Sequence, residues 1–492
     1  MSDRPNIVII MTDQQRADLV AREGYPLDTM PFCDRLAAEG QWFDRAYTTC
    51  PACVPARVSM LTGRFGSATR IRCNDNSDWV ADGELVALLR DAGYRTALCG
   101  KKHSPLPEDR YDDFLWYGHQ NAPADTAEER AFNAFLQEHT MHLVREPTPF
   151  PAELQYPCRI VDDACGWVDR PSEKPFFLWI SFAEPHNPYQ VPEPYYDMFP
   201  PDDLPPLRSS AEDLKDRPFA WRWCLEGFRR AFPDYDATFD HARSNYHGML
   251  RLIDDQVRRF TEHLERRGLR DDTLIVVLSD HGDFVGEYGL LRKGPGLPEA
   301  TTRIPLIFNG FGVEPRSQVN PAHVSIVALL PTLCSMAGVR TPLGVQGRDL
   351  GGLLRGEDDP ARYHSMVVEQ GYGGEVHDGT EDLDPRDDGF TPSPDGEAWG
   401  GFDELNSRTQ SGTRRAIRSG DWKMVVSSDG RNQLYHLPDD PVELVNRWDD
   451  EACRTVRCRL QEKLIQWLLR LEDTLPPPEN RYRLKPHDEV CP

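Results

Sequence analysis

Apolar residues in this chain come in short, dense runs set between polar stretches. Asn6 to Thr12 is mostly apolar and β-branched and predicts a buried central strand. Residues 94–99, 176–182, 273–278 and 304–308 read the same way. Helical patterns lie between them. Residues 31–40 open on Pro31 and close on Gly40, and residues 84–92 are followed by Gly93. Residues 126–143 and 324–336 predict further helices. Residues 239–268 form a long one, with Tyr246, Met249, Leu250, Leu252, Ile253, Val257, Phe260 and Leu264 at helical spacing. Strands alternating with helices predict an α/β protein with a large, mainly parallel central sheet flanked by helices. Residues 105–170 read as irregular apart from the one helix, and residues 190–235 as a proline- and aromatic-rich excursion. The pattern changes near residues 355–365. An acidic, Gly- and Pro-rich loop over 371–412 precedes short antiparallel strands at 416–418, 422–426 and 433–437, then a closing helix over 453–471. The expected division is a large α/β domain, 1–360, and a smaller α+β C-terminal subdomain, 361–492.

Chemistry collects where the runs end. The first strand delivers Asp13 and Gln14, and the strand at 273–278 delivers Asp280 and His281. In open α/β sheets ligands bind beyond the carboxyl ends of strands. Lys101 and His103 follow the strand at 94–99; His186, between Pro185 and Pro188, follows that at 176–182; Lys293 lies in a later loop. Taken singly, each reads as readily as a turn, surface or packing residue.

The stretch from Cys50 to Arg64 is more specific. Pro55 suits a first helical turn and Gly63 a helix end, so Cys53 is expected at a helix N-terminus, where backbone N–H groups favour an anion. Cys50-Pro51-Ala52-Cys53 could be a redox pair or half of a zinc site, although no second C-x-x-C follows. Cys53-x-Pro55-x-Arg57, followed by Leu61-Thr62-Gly63-Arg64, resembles the signature of the type I sulfatases.

The resemblance covers most of the chain and is firmest over residues 5–64, 93–103, 181–189 and 273–310. It implies an alkaline phosphatase-like fold and hydrolysis of sulfuric esters. By that resemblance Cys53 is converted to formylglycine, whose hydrate is the nucleophile. Asp13, Gln14, Asp280, His281 and residue 53 would hold one divalent cation. Arg57 and Lys101 would hold the hydrate and the sulfate, His103 would be the base that breaks the hemiacetal sulfate, and His186 and Lys293 would serve the leaving oxygen. Many sulfatases have Asp at the position of Gln14 and Asn at that of His281. The pattern here is similar to the choline-sulfatase and phosphonate monoester hydrolase branch, which keeps phosphonate or phosphodiester hydrolysis as the alternative activity. Oxygen donors favour calcium, and His281 also admits manganese or magnesium.

Composition narrows the partners. The 492 residues are 39% hydrophobic and 10% aromatic, which suits a large core, and the net charge is −24. That acidity argues against nucleic acid or an anionic membrane as partner and requires a local basic pocket for an anionic ester. No apolar run is long enough for a secretion signal or a membrane span, so the cytoplasm is the expected compartment. The expected partners are a small anionic ester and a formylglycine-generating enzyme, with homo-oligomerisation open. A binding protein that keeps Cys53 unconverted is the rival from another class. Trp79, Tyr189, Trp221 and Trp399 could stack on a ring, though packing is the expected role of each.

Overall fold

The computed structural model describes residues 4–74, 83–139, 144–232, 234–380, 389–392 and 399–472. Among them a seven-stranded sheet runs in the order Gln41–Trp42, Leu306–Gly310, Thr273–Ser279, Asn6–Thr12, Phe176–Ser181, Arg95–Gly100, Asp113–Trp116. The strands from Thr273–Ser279 to Asp113–Trp116 are parallel, and Leu306–Gly310 runs against its neighbour.

Asn6–Thr12 is buried at every position because both sheet faces are covered. Ile7, Ile9 and Met11 pack with Met60, Leu61, Leu89 and Leu330, from the helices Cys53–Thr62, Leu85–Asp91 and Leu329–Met336. Val8 and Ile10 pack on the opposite face with Leu36, Ile160, Trp167 and Ile253, from the helices Pro31–Ala38, Tyr156–Val168 and Phe239–Arg266. Each fully buried aliphatic side chain contributes roughly 1.5–3 kcal/mol. Asp13 is therefore held in place by the core under it.

Register brings the strand ends level. Thr12 pairs with Ser279, and both Met11 and Gly100 pair with Ser181. Asp13, Asp280 and Lys101 thus leave the sheet at one edge. Gly100, at φ 119°, permits this crowding, since a Cβ there would stand 2.0 Å from the Ser181 carbonyl oxygen.

Three segments of the first 360 residues depart from the sequence expectation. Residues 105–170 hold a second helix, Tyr156–Val168, and an edge strand, Asp113–Trp116. Pro157 masks that helix in the sequence, but in the first turn its missing N–H costs nothing. Residues 190–235 include the helix Phe219–Ala231, whose apolar face is aromatic. The expected helix at 324–336 is helical in its second half, after the short strand Val324–Ser325 and one 3-10 turn.

The expected 371–412 loop carries strand at both ends and one short strand pair between them, and its other described residues are turns and irregular backbone. Ser365–Gly373 is the first strand of a four-stranded antiparallel sheet, ahead of Gly412–Ser419, Trp422–Ser427 and Gln433–His436. Phe390–Pro392 pairs with Trp399–Phe402, and residues 381–388 and 393–398 of the expected loop lie outside the described residues. The closing helix, Arg454–Glu472, packs on this sheet through Leu460 and Leu464, and Phe65 and Val327 join the same core.

His247, buried in the long helix, makes the fold sensitive to acid. Its Nδ1 faces the Arg243 carbonyl and its Nε2 lies 2.7 Å from the Tyr25 hydroxyl. Burial first, then Arg243 and Arg16, hold its pKa down to about 4. The unfolded chain therefore binds the extra proton first, and stability falls as pH drops from about 6.5 through 4, by roughly 3 kcal/mol. Urea midpoints should fall over that range, and His247→Gln should make the slope shallower, the remainder coming from other histidines whose pKa burial lowers, such as His103 and His186. An unchanged slope in the variant would contradict this assignment.

Candidate active site

Cys53 is the first residue of the helix Cys53–Thr62, entered from extended Ala52 and closed by Gly63, whose N–H donates to the Ser59 carbonyl. Arg57 follows one turn later on the same face. Its guanidinium is fully buried and heavily engaged. Nε donates to Asp280 Oδ2 at 2.9 Å and Nη2 to Asp13 Oδ2 at 3.1 Å. Nη1 donates to the Lys101 carbonyl at 3.0 Å and to Ser181 Oγ at 2.8 Å. Arg57 thus ties together four strand ends that build the site.

Asp13, Cys53, Asp280 and His281 bring one donor atom each to within 4.8 Å of one another, and all four are fully buried. Cys53 Sγ lies 3.2 Å from His281 Nε2 and 3.5 Å from Asp13 Oδ1. His281 Nδ1 faces the Gly282 carbonyl at 2.8 Å, which leaves Nε2 for the cluster. Burial raises the Asp13 pKa, but the charges of Lys101 and Arg57 overcome it and hold the group well below the usual range. Burial and the Asp13 charge push Asp280 up to about 6. Burial would lower His281, yet Asp280 and Cys53 raise it to about 9. Two carboxylates, a sulfur and an imidazole converge here. That is a fitting donor set for a divalent cation.

The C-x-x-C pair splits in character. Burial and Asp13 raise the Cys53 pKa, but Lys293, Lys101 and His281 outweigh them and bring it to about 6. Burial lifts the Cys50 thiol far above its usual value. Both are free thiols, and Cys50 lies outside the donor cluster.

Gln14 sits at the rim with φ 70°, its N–H on Asp280 Oδ1 at 3.1 Å and its carbonyl accepting from the Tyr246 hydroxyl at 2.7 Å. Its Oε1 accepts from Lys293 Nζ at 2.8 Å, and Lys293 Nζ is also 3.1 Å from His186 Nε2. Burial and the Lys293 charge keep His186 neutral. On the other side Lys101 Nζ donates to Asp13 Oδ2. His103, at φ 36°, is held at about 2 by burial and then by Lys101 and Arg57, so it is a neutral base. All ten residues singled out in the sequence therefore lie in one pocket or directly against it.

The sequence profile of the sulfatase family matches residues 5–339. The chain belongs to the sulfatase family. It is 30% identical over 387 residues to the arylsulfatase of Clostridium perfringens, covering 71% of this chain and 78% of that one. It is 27% identical over 469 residues to the choline-sulfatase of Rhizobium meliloti, covering 90% and 82%. Among solved structures, the phosphonate monoester hydrolase from Silicibacter pomeroyi superposes with a TM-score of 0.79 at 21% identity, over 96% of each chain. The fold is that of the alkaline phosphatase superfamily, and the protein is a sulfatase, an enzyme that hydrolyses sulfate esters. No helix among the described residues is long and apolar enough to cross a membrane.

Four pocket residues of this sulfatase escape sequence reading. Ser181 anchors Arg57, and its signal is its place as the last residue of a strand. Asp283 Oδ2 accepts from Gln14 Nε2 and from the Tyr189 hydroxyl, each at 2.6 Å, so Tyr189 is a buried anchor. Its signal is proximity to Asp280 and His281. His119, just past the edge strand Asp113–Trp116, accepts from Lys101 Nζ. Glu404 puts Oε1 3.7 Å from Lys293 and Oε2 3.5 Å from Arg292, and nothing in its local sequence marks it. Trp221 packs edge-on against Phe284 and Tyr288. Trp79 and the side chain of Trp399 lie outside the described residues.

Proposed function

We propose that this sulfatase releases sulfate from a small organic ester, of a sugar, aryl or alkyl alcohol, with residue 53 as formylglycine and one divalent cation held by Asp13, Gln14, Asp280, His281 and residue 53. The observation that carries this reading is the position of Cys53 Sγ, inside the donor cluster and at a helix N-terminus. Calcium is the first choice for the ion, with manganese and magnesium as alternatives. When bound, the ion and the aldehyde hydrate would supply charge withdrawal and an ionisable nucleophilic hydroxyl. The protein's own residues do the rest. Two carboxylates just balance a dication, so Arg57, Lys101 and Lys293 leave the pocket cationic, as an anionic ester requires. Lys101 orients the sulfate oxygens.

His103 is neutral, and its Nδ1 is buried without a hydrogen-bond partner among the described residues. That unpartnered nitrogen is the acceptor proposed for the proton of the second hydroxyl, and the negative sulfate ester bound beside it would raise its hold on that proton. Lys293, lifted above the usual lysine range by Cys53 and Glu404 against the burial that lowers it, stays charged beside His186 and can serve the leaving oxygen. Because Cys53 is fully buried, the formylglycine-generating enzyme must reach it before this region folds.

Hydrolysis of a phosphonate monoester is the rival reading, supported by Gln14 and His281 and by the likeness to the Silicibacter enzyme. Sulfate and phosphonate esters of the same alcohol, assayed side by side, separate the two. The expected result is a kcat/KM at least roughly tenfold higher for the sulfate, about 1.4 kcal/mol. A preference for the phosphonate would make the rival the main activity.

A further inference from the structure

We infer that His119 is a positioning residue for the reaction: it holds the Lys101 ammonium in the one orientation that leaves an N–H for the ester's anionic group. This rests on reading the Cys53 pocket as the hydrolytic site. The geometry is local and specific. Lys101 Nζ donates to Asp13 Oδ2 on one side and to His119 Nε2 on the other. An ammonium group has three N–H donors. Two are thereby committed, and the third is left for a ligand. The Lys101 main chain is fixed as well, by its own N–H on the Ser181 carbonyl at 2.8 Å and by Arg57 Nη1 on its carbonyl at 3.0 Å. Because Nε2 accepts from an ammonium, the His119 ring carries its proton on Nδ1.

The ring itself is wedged between two other pocket histidines, His103 and His186. It stands edge-on to His103 with centroids 5.3 Å apart and lies against His186 at 4.5 Å. His119 comes from the loop after the outermost strand, so the edge of the sheet supplies the acceptor that the central strands cannot. Without that acceptor, Lys101 has Asp13 as its remaining side-chain partner in the pocket, and the ammonium can rotate its donors about that carboxylate. The loss should fall on the step in which charge grows on the transferred group, because that is when an aimed donor is worth most.

The test separates the acceptor from the ring. His119→Phe keeps an aromatic wedge between His103 and His186 but cannot accept a hydrogen bond. His119→Gln loses the ring but offers an amide oxygen. Both are measured in fully matured protein with a chromogenic aryl sulfate, alongside Cys53→Ala and a thermal melt of each variant. The expected result is a kcat roughly 10- to 100-fold lower in His119→Phe with KM changed little, and recovery in His119→Gln to within about fivefold of the parent. A His119→Phe variant with kcat within about twofold of the parent overturns the proposal, as does a His119→Gln variant no better than His119→Phe. If His119→Phe does not fold, His119→Leu, which likewise cannot accept a hydrogen bond, takes its place against the same limits. Activity surviving in Cys53→Ala would instead remove the reading of the pocket itself, whatever His119 does.

Discussion

Replacing Cys53 with alanine is expected to remove sulfate-ester hydrolysis, lowering kcat by roughly 10⁴-fold or more, while an intact fold and binding of the anionic ester persist. The side chain of residue 53 lies in the donor cluster, with Sγ 3.2 Å from His281 Nε2, and the other members of the cluster, two carboxylates and an imidazole, are assigned to holding the ion. Cys53→Ser sharpens the expectation. A serine oxygen can accept the sulfuryl group, but it lacks the second hydroxyl from which His103 would take a proton to expel sulfate. That variant should release about one equivalent of alcohol and then stall, because the remaining sulfate ester can leave only by a fresh attack on sulfur. Rapid-mix kinetics with a chromogenic ester reads both results. Steady turnover by either variant would mean that the nucleophile lies elsewhere.

The second large effect is on stability. Arg57 donates to both Asp13 and Asp280 from a fully buried position. Arg57→Ala leaves these carboxylates facing each other inside the protein, with Lys101 still paired to Asp13. Breaking a buried ion pair by removing one partner costs roughly 3–5 kcal/mol. A bound divalent cation supplies counter-charge to the same carboxylates, so part of the loss should return in saturating calcium and reappear with a chelator. Urea midpoints in four conditions, parent and variant with and without metal, test this. The difference between parent and variant should be larger in chelator than in calcium. Equal differences would show that the cation does not share the carboxylates with Arg57.

Much of the site was legible because strand ends are. Asn6–Thr12 and Thr273–Ser279 announce themselves by unbroken apolar runs, and the acids that follow them fall at one edge once the register is set. Cys53 was legible through Pro55 and Gly63, which mark the limits of its helix. What stayed hidden depends on contacts between distant segments. Glu404 reaches Lys293 from a stretch whose composition reads as loop, because the Phe390–Pro392 and Trp399–Phe402 pairing that carries it has no strong local pattern. His119 lies beyond a short edge strand with little periodicity. The helix Tyr156–Val168 was hidden by Pro157, a breaker in the interior of a helix and harmless at its start.

The most direct test of the central claim is the mass of the tryptic peptide running from residue 46 to Arg57, taken from protein made with its maturation enzyme and alkylated under denaturing conditions. Cys50 lies in the same peptide and serves as an internal control. The account predicts one alkylated thiol, at Cys50, and at residue 53 either an aldehyde, lighter than the thiol side chain, or its hydrate, which has the nominal mass of the thiol but takes no alkylating group. Two alkylated thiols in a preparation that hydrolyses sulfate esters at full rate would contradict it, and would leave Cys53 acting as a thiolate or as a ligand alone.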